Sequence, residues 1–444
     1  MAYKTFKLPE DLLMGSATAA THIEGGEQPH NWYRWSELGK IQDGSHSKVA
    51  CDHINHIKSD VKLLKAIHTE TYRMGIEWSR IEPEEGHFSK EGIDLYRKEI
   101  KLLLKNNIRP LVTLWHFSNP LWMEDDGGWI NPKCVDRYLN YVRFVVDELG
   151  DLVTDWVTIN EPNVYLFFGY FEGRWPPGMR GKVRKYLRGA NHFAKAHLKA
   201  YAQIHKQLEA KGHKKEQIHV GVAHHLRIFD MFDKRHLTKM AAYVSNHLFQ
   251  MMYLEAMTHA RFVFPLKWHR EFPRKNYCDF IGINYYSRDL VKGIYNPGTL
   301  FNELYVKKGK AVNDLGWEIY PRGLFRICKK VYRRYKIPIF ITENGICDAN
   351  DEQRAKFIYD HLKQLNKAIK KGIDIRRYYH WSTMDNFEWA EGVSARFGLY
   401  HNDYETQERT LRDSGKFYGE ICKKKKISRK MIKKYLLNKR ESLN

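Results

Sequence analysis

Two glutamates stand in matching contexts. Glu161 closes Thr158-Ile-Asn-Glu-Pro162, and Glu343 closes Phe340-Ile-Thr-Glu-Asn344. Each follows an apolar run of strand length. A lone carboxylate in that place can cap a helix N-terminus or pair with a cation. Two of them, on different strands, suit a further task, the cleavage of a glycosidic bond. One carboxylic acid protonates the leaving oxygen while the other carboxylate attacks the anomeric carbon or activates water. Carboxyls about 5–5.5 Å apart give a covalent intermediate and retention, whereas a wider gap admits water and gives inversion.

Such a pair needs strands whose ends converge. Eight short apolar runs read as strands: Leu12–Ala17, Thr71–Trp78, Pro110–Trp115, Trp156–Asn160, His219–Ala223, Phe280–Tyr285, Pro338–Thr342 and Arg377–Ser382. Between them lie amphipathic stretches with helical spacing, among them Lys58–Ala66, Lys90–Lys105, Pro132–Leu149 and Arg354–Lys371. Near-continuous apolar strands alternating with helices imply a parallel sheet covered on its outside. With eight units, closure into a (β/α)₈ TIM barrel is the economical solution, although periodicity alone leaves an open doubly wound sheet possible. No linker-like composition divides the chain, so one domain is expected over residues 1–444, ending in a lysine-rich stretch at 416–444. Polar residues gather at the C-terminal strand ends, where barrel active sites form: Arg73, His116, Asn160, Glu161, Asn284, Tyr286, Glu343 and Glu388.

The order of the motifs resembles glycoside hydrolase family 1, the family of β-glucosidases. The likeness runs from Gly15-Ser-Ala-Thr-Ala-Ala and Ile23-Glu-Gly-Gly26 to Phe397-Gly-Leu and Asp403-Tyr-Glu-Thr-Gln407. It includes Tyr72-Arg73, Glu77-Trp-Ser-Arg80, Trp115-His116-Phe117, both glutamate motifs, Ile281-Gly-Ile-Asn-Tyr-Tyr286 and Trp381-Ser-Thr-Met-Asp-Asn-Phe-Glu-Trp389. The resemblance implies a retaining hydrolase with Glu161 as acid/base and Glu343 as nucleophile. Arg73 is expected to hold Glu343 ionised, since a nearby cation favours the charged carboxylate, with Tyr286 as a second donor. Glu161, facing that charge in a closed pocket, is expected to stay protonated until the sugar esterifies Glu343. His116 and Asn160 match the family's donors to sugar hydroxyls, and Asn284 joins them on the substrate side. Glu388 and Trp389 match the pair that reads the far side of a glucose-like ring. Trp381 resembles the platform beneath that ring, and Trp317 an aglycone-side aromatic.

Two features depart from the family's pattern. His22 stands where Gln is usual, two residues before Glu24, and offers sugar hydroxyls an imidazole in place of an amide. An altered glucose, galactose or fucose preference is expected. The stretches before Asp279 and after Gly345 are short, which leaves the aglycone walls open. The same scaffold also serves 6-phospho-β-glycosidases, but their Ser, Lys and Tyr are replaced here by Glu388, Ala395 and Phe397. A transglycosidase shares the first chemical step and differs in the acceptor. A carbohydrate-binding protein without catalysis would be expected to have lost one of the glutamates.

Composition narrows the classes further. The net charge of +22 raises the question of a polyanionic partner, yet the excess is spread over many helical stretches and no nucleic-acid module accompanies it. No nucleic-acid partner is expected. Six cysteines lie far apart without a C-x-x-C pair, so neither a metal nor a redox site is expected, and no cofactor is implied. No run of about 18 apolar residues indicates a membrane span, and the start Met1 to Pro9 lacks the apolar stretch of a signal peptide. A cytoplasmic location and a small β-glycoside as partner are the expectation; oligomeric state carries no signal.

Overall fold

The computed structural model describes residues 3–299 and 302–437. Residues 438–444 of the lysine-rich stretch, and Met1 and Ala2, lie outside the described residues. Eight strands form a closed, all-parallel barrel: β1 Leu13–Ala17, β2 Thr71–Gly75, β3 Arg109–Thr113, β4 Asp155–Asn160, β5 His219–His225, β6 Phe280–Asn284, β7 Ile339–Gly345 and β8 Ile375–Trp381. Each pairs with its neighbours in chain order, and β8 closes on β1 through Arg377 to Trp381 against Leu13 to Ala17. The chain is therefore a (β/α)₈ TIM barrel, and the open doubly wound sheet that periodicity alone had left possible is excluded.

A helix follows every strand on the outside: α1 His53–Ala66, α2 Lys90–Lys105, α3 Cys134–Leu149, α4 Val183–Ala210, α5 His236–Asn246, α6 Pro321–Tyr335, α7 Arg354–Ile369 and α8 Asp413–Lys424. Helix α2 shows why. Ser89 accepts from Gly92 N at its start, and Ile93, Tyr96, Ile100 and Leu103 recur at helical spacing to form the buried face. The strands bury nearly every side chain, since one face meets the helices and the other fills the barrel. Gly15 on β1 is required by close approach, because a Cβ there would sit 1.9 Å from the Thr71 carbonyl oxygen on β2.

The N-terminal end of the barrel is plugged by paired charge. Asp155 Oδ2 lies 2.7 Å from the Arg377 guanidinium, and its Oδ1 accepts from Arg109 at 2.8 Å and meets His219 Nδ1 at 2.9 Å. Above it, the rings of Phe280 and Phe340 stack at 4.0 Å. Burial pushes the Asp155 carboxyl up, but Arg377, His219 and Arg109 together outweigh it and hold the group below the usual carboxylate range.

Most strand boundaries move by one to three residues from the sequence expectation. The largest overshoot is at Thr71–Trp78. The strand stops at Gly75, and the Glu77 side chain, accepting from Ser79 N at 3.3 Å, caps a short helix over Trp78–Ile81. An apolar run concealed that capping signal. A side sheet not anticipated from the sequence joins Asn302–Tyr305, Arg288–Gly293 and Ile228–Met231 in that order, with α5 packed on it.

Candidate active site

Strand β4 delivers Glu161 by a sharp turn. Glu161 adopts φ 41°, ψ 56°, a left-handed conformation that costs a non-glycine residue about 1–2 kcal/mol, and Pro162 begins the following short helix. Its amide is held by the Ala223 carbonyl on β5 at 2.8 Å. On β7 the register shifts between Ile341 and Glu343, which sets Glu343 opposite Asn284 on β6.

Hydrogen bonds connect the two carboxylates through the barrel mouth. Arg73, with no exposed surface, reaches from β2 to Glu343 Oε1 at 2.5 Å and to the Thr342 carbonyl at 3.3 Å. Its Nη2 donates to Asn160 Oδ1 at 2.7 Å, which also accepts from Asn284 Nδ2 at 3.0 Å. Asn284 Nδ2 continues to Glu161 Oε1 at 2.8 Å. Tyr286 donates to Glu343 Oε2 at 2.5 Å. Glu343 thus has a cation and a phenol as partners, whereas Glu161 has an amide and an imidazole.

That imidazole is His225, whose Nδ1 lies 3.1 Å from Glu161 Oε1 and whose ring stacks on Tyr286 at 5.8 Å. The sequence reading missed it by ending β5 at Ala223. Polar residues immediately beyond the other apolar runs were the signal that could have found it.

The expected pairing of Arg73 with Glu343 is present, but the net effect on the carboxyl runs the other way. Burial pushes Glu343 up to about 7, and the charge of Glu161 adds to the rise, while Arg73 and Tyr286 pull it back. Burial also pushes the Tyr286 hydroxyl up, reinforced by Glu343, so it remains a donor. Glu388 is raised by burial and then by the charges of Glu391 and Glu343.

Eight of the residues singled out from the sequence line one cavity of about 790 Å³: His116, Glu161, Tyr286, Trp317, Glu343, Trp381, Glu388 and Trp389. Arg73, Asn160, Asn284 and His22 stand behind that wall, each fully buried. Asn160 Nδ2 lies 2.8 Å from His116 Nε2, which assigns that nitrogen as acceptor and leaves a proton on Nδ1. Burial lowers His116, with Arg73 and His22 adding, so the ring is neutral. Trp381 Nε1 donates to Glu388 Oε2 at 3.3 Å. His22 sits among His116, Trp381 and Trp389, with ring centroids 5.8, 5.2 and 4.1 Å away. Its Nδ1 is 3.9 Å from Glu388 Oε2, and among the described residues neither ring nitrogen meets a partner in ordinary hydrogen-bond geometry. Burial brings His22 down to about 3, with the Asn386 amide acting weakly against it, so it too is neutral.

The other side of the cavity is apolar. Two π-helical turns, Phe167–Glu172 and His247–Met251, face each other there, with the rings of Phe167 and Phe249 5.9 Å apart. Trp317 stands near Tyr286 at 5.9 Å, on the way out from the carboxylates. The aglycone walls left open by the sequence are thus built from the segments after β4 and β5. Among the described residues no group of His, Cys, Asp and Glu could hold a metal ion.

A closed parallel barrel whose C-terminal mouth carries two buried glutamates among aromatic side chains defines a barrel glycoside hydrolase. The sequence pattern of glycosyl hydrolase family 1 matches residues 4–427, and the chain belongs to that family. Beta-glucosidase A of Thermotoga maritima is 33% identical over 447 residues, covering 94% of this chain and 98% of that protein. Beta-glucosidase A of Acetivibrio thermocellus is 34% identical over 450 residues, with coverage of 94% and 98%. Among solved structures, the beta-glycosidase from Pyrococcus horikoshii superposes with a TM-score of 0.88 at 36% identity, over 98% of this chain and 99% of that one. The Thermotoga maritima beta-glucosidase in complex with glucoimidazole gives 0.85 at 32% identity, over 94% and 99%.

Proposed function

We propose that this glycoside hydrolase removes the terminal β-D-glucosyl residue from small glycosides, with retention, through a glycosyl ester on Glu343. The observation that carries the reading is the unequal pairing of the two carboxyls. Arg73 and Tyr286 favour the negative charge on Glu343, which suits it as the nucleophile and leaves Glu161 to supply the leaving group's proton. Oε1 of Glu161 already accepts from Asn284 and meets His225, which leaves Oε2 to carry that proton.

In the first step Glu343 attacks the anomeric carbon as the bond to the aglycone oxygen breaks, and Glu161 gives that oxygen its proton. Esterification removes the charge from Glu343 and the repulsion with it. Glu161, now a carboxylate, takes a proton from water as the water oxygen attacks the anomeric carbon. The sugar leaves with its original configuration, and the proton is back on Glu161. Glucose preference is supported by the β-glucosidase relatives and by Glu388, Trp389 and His116 on the cavity wall. Glu388 at that wall speaks against a 6-phosphosugar, since carboxylate and phosphate would repel. The six separate buried thiols fit a reducing, cytoplasmic setting.

Proton NMR of an aryl β-glucoside digest tests this directly. The first-formed sugar should be the β-anomer, and a 2-fluoro glucoside should leave its mass on the peptide containing Glu343. First release of the α-anomer, or an adduct on another residue, overturns the assignment.

A further inference from the structure

Strand β5 runs past its apolar stretch to His225, and that extension adds a donor to the site. Side chains alternate along a strand, so Ala223 and His225 share one face and the buried His224 takes the other. In the barrel register His225 stands opposite Asn284 on β6, and Leu226 N donates to the Asn284 carbonyl at 3.0 Å. Partners in register project to the same side of the sheet, and these two converge on a single oxygen. Asn284 Nδ2 lies 2.8 Å and His225 Nδ1 3.1 Å from Glu161 Oε1. Thr342 Oγ1 donates to Asn284 Oδ1 at 2.6 Å, which turns the amide nitrogen toward the carboxyl.

The His225 ring is itself held. Its backbone carbonyl accepts from Asn163 Nδ2 at 3.0 Å. The Phe249 ring meets it edge-on at 5.9 Å, and Tyr286 lies nearly parallel to it, 17° off and 5.8 Å away. Tyr286 donates to Glu343 Oε2 at 2.5 Å. The neighbouring rings thus serve one carboxyl each. His225 also lines the cavity wall, with its side chain 13% exposed, so the contact with Glu161 lies where the aglycone oxygen must arrive.

We propose that His225 is a positioning residue for the acid/base. Its Nδ1–H, together with the Asn284 amide, clamps Oε1 of Glu161 as an acceptor. Rotation of the carboxyl would break both bonds, so Oε2 stays aimed at the aglycone oxygen in the first step and at water in the second. The inference rests on the reading of Glu161 as acid/base. A misaimed acid costs most where the leaving oxygen needs a full proton, and least where it departs as a stable anion.

The test compares two variants on aryl β-glucosides of similar size and graded leaving-group acidity. His225→Phe keeps a ring beside Tyr286 and Phe249 but lacks the nitrogen; His225→Asn returns an amide nitrogen near the Nδ1 position. For a methoxyphenyl glucoside, His225→Phe should lower kcat/KM by about 10–100-fold, the usual cost of a displaced catalytic group. For a dinitrophenyl glucoside the change should stay within about twofold. His225→Asn should recover most of the loss, and the thermal melts should coincide. A loss independent of leaving-group acidity, or an Asn variant as slow as the Phe variant, overturns the proposal. So does an unprotonated Nδ1 in nitrogen-15 spectra of the histidine-labelled protein, assigned by difference against His225→Phe, since the clamp needs that proton. Glu161→Gln measured on the same series separates the two failures. A uniform loss there sinks the acid role of Glu161, whereas an acidity-dependent loss there beside a uniform loss in His225→Phe sinks the positioning alone.

Discussion

Asp155 and the dyad of Glu161 and Glu343 show two uses of a buried carboxylate in one barrel. Asp155 begins strand β4 and Glu161 follows its other end, so the same strand carries both environments. At the N-terminal end, two guanidiniums and an imidazole converge on one carboxylate, and the charge is compensated. At the mouth, one guanidinium serves two carboxylates through a chain of amides. The first arrangement lowers the carboxyl; the second leaves Glu343 raised, with burial outweighing the partners of its anion.

The contrast breaks most sharply at Glu343. Glu343→Gln should lower kcat by at least about 10⁴-fold, because no ester can form, while the fold survives. Steady-state rates beside a thermal melt decide it; parent-like turnover would remove the nucleophile from the account. Glu161→Gln should cost about 10²–10⁴-fold, less for substrates whose leaving group needs no proton. A uniform loss across leaving groups would count against the acid role.

At the other end the penalty moves from rate to stability. Asp155→Asn removes the counter-charge of buried Arg377 and should destabilise the protein by about 3–5 kcal/mol in urea titration, with kcat of the folded enzyme within a few-fold. An activity loss matching that of the Glu161 variant would erase the distinction.

The two ends should also respond to pH with opposite sign. Asp155 binds its proton less tightly folded than unfolded, so its contribution is present above about 3.8 and is lost as pH falls below that. Glu343 binds its proton more tightly when folded. Its contribution is complete below about 4.5 and is lost as pH rises through about 7. Melting curves of Glu343→Gln should therefore lack the decline between those values and lie a few degrees above the parent at pH 8. A parent and variant with parallel pH profiles would refute it. The smallest effect is expected at His22. His22→Gln restores an amide beside Glu388, and the ratio of kcat/KM for glucoside, galactoside and fucoside should shift severalfold with little change in Tm. Identical ratios would make His22 a packing residue.

Much of the site was legible because barrel strands announce themselves twice, by an apolar run and by the polar residue that ends it. Arg73, His116, Glu161, Asn284, Glu343 and Glu388 were found that way, and the family's motif order supplied Trp381 and Trp389. His225 escaped because the strand continued past its apolar run. The side sheet escaped because its strands are short and half-exposed, without the period that marks a buried strand.

By itself the sequence determined the eight alternating units, the pair of glutamates and the cation able to face one of them. Local pattern suffices there, since burial period and chemical type are properties of short segments. Only the tertiary structure decided the balance of forces on those groups. Burial outweighs Arg73 at Glu343, and salt bridges outweigh burial at Asp155, because desolvation depends on every atom that excludes water and not on the residues adjacent in the chain.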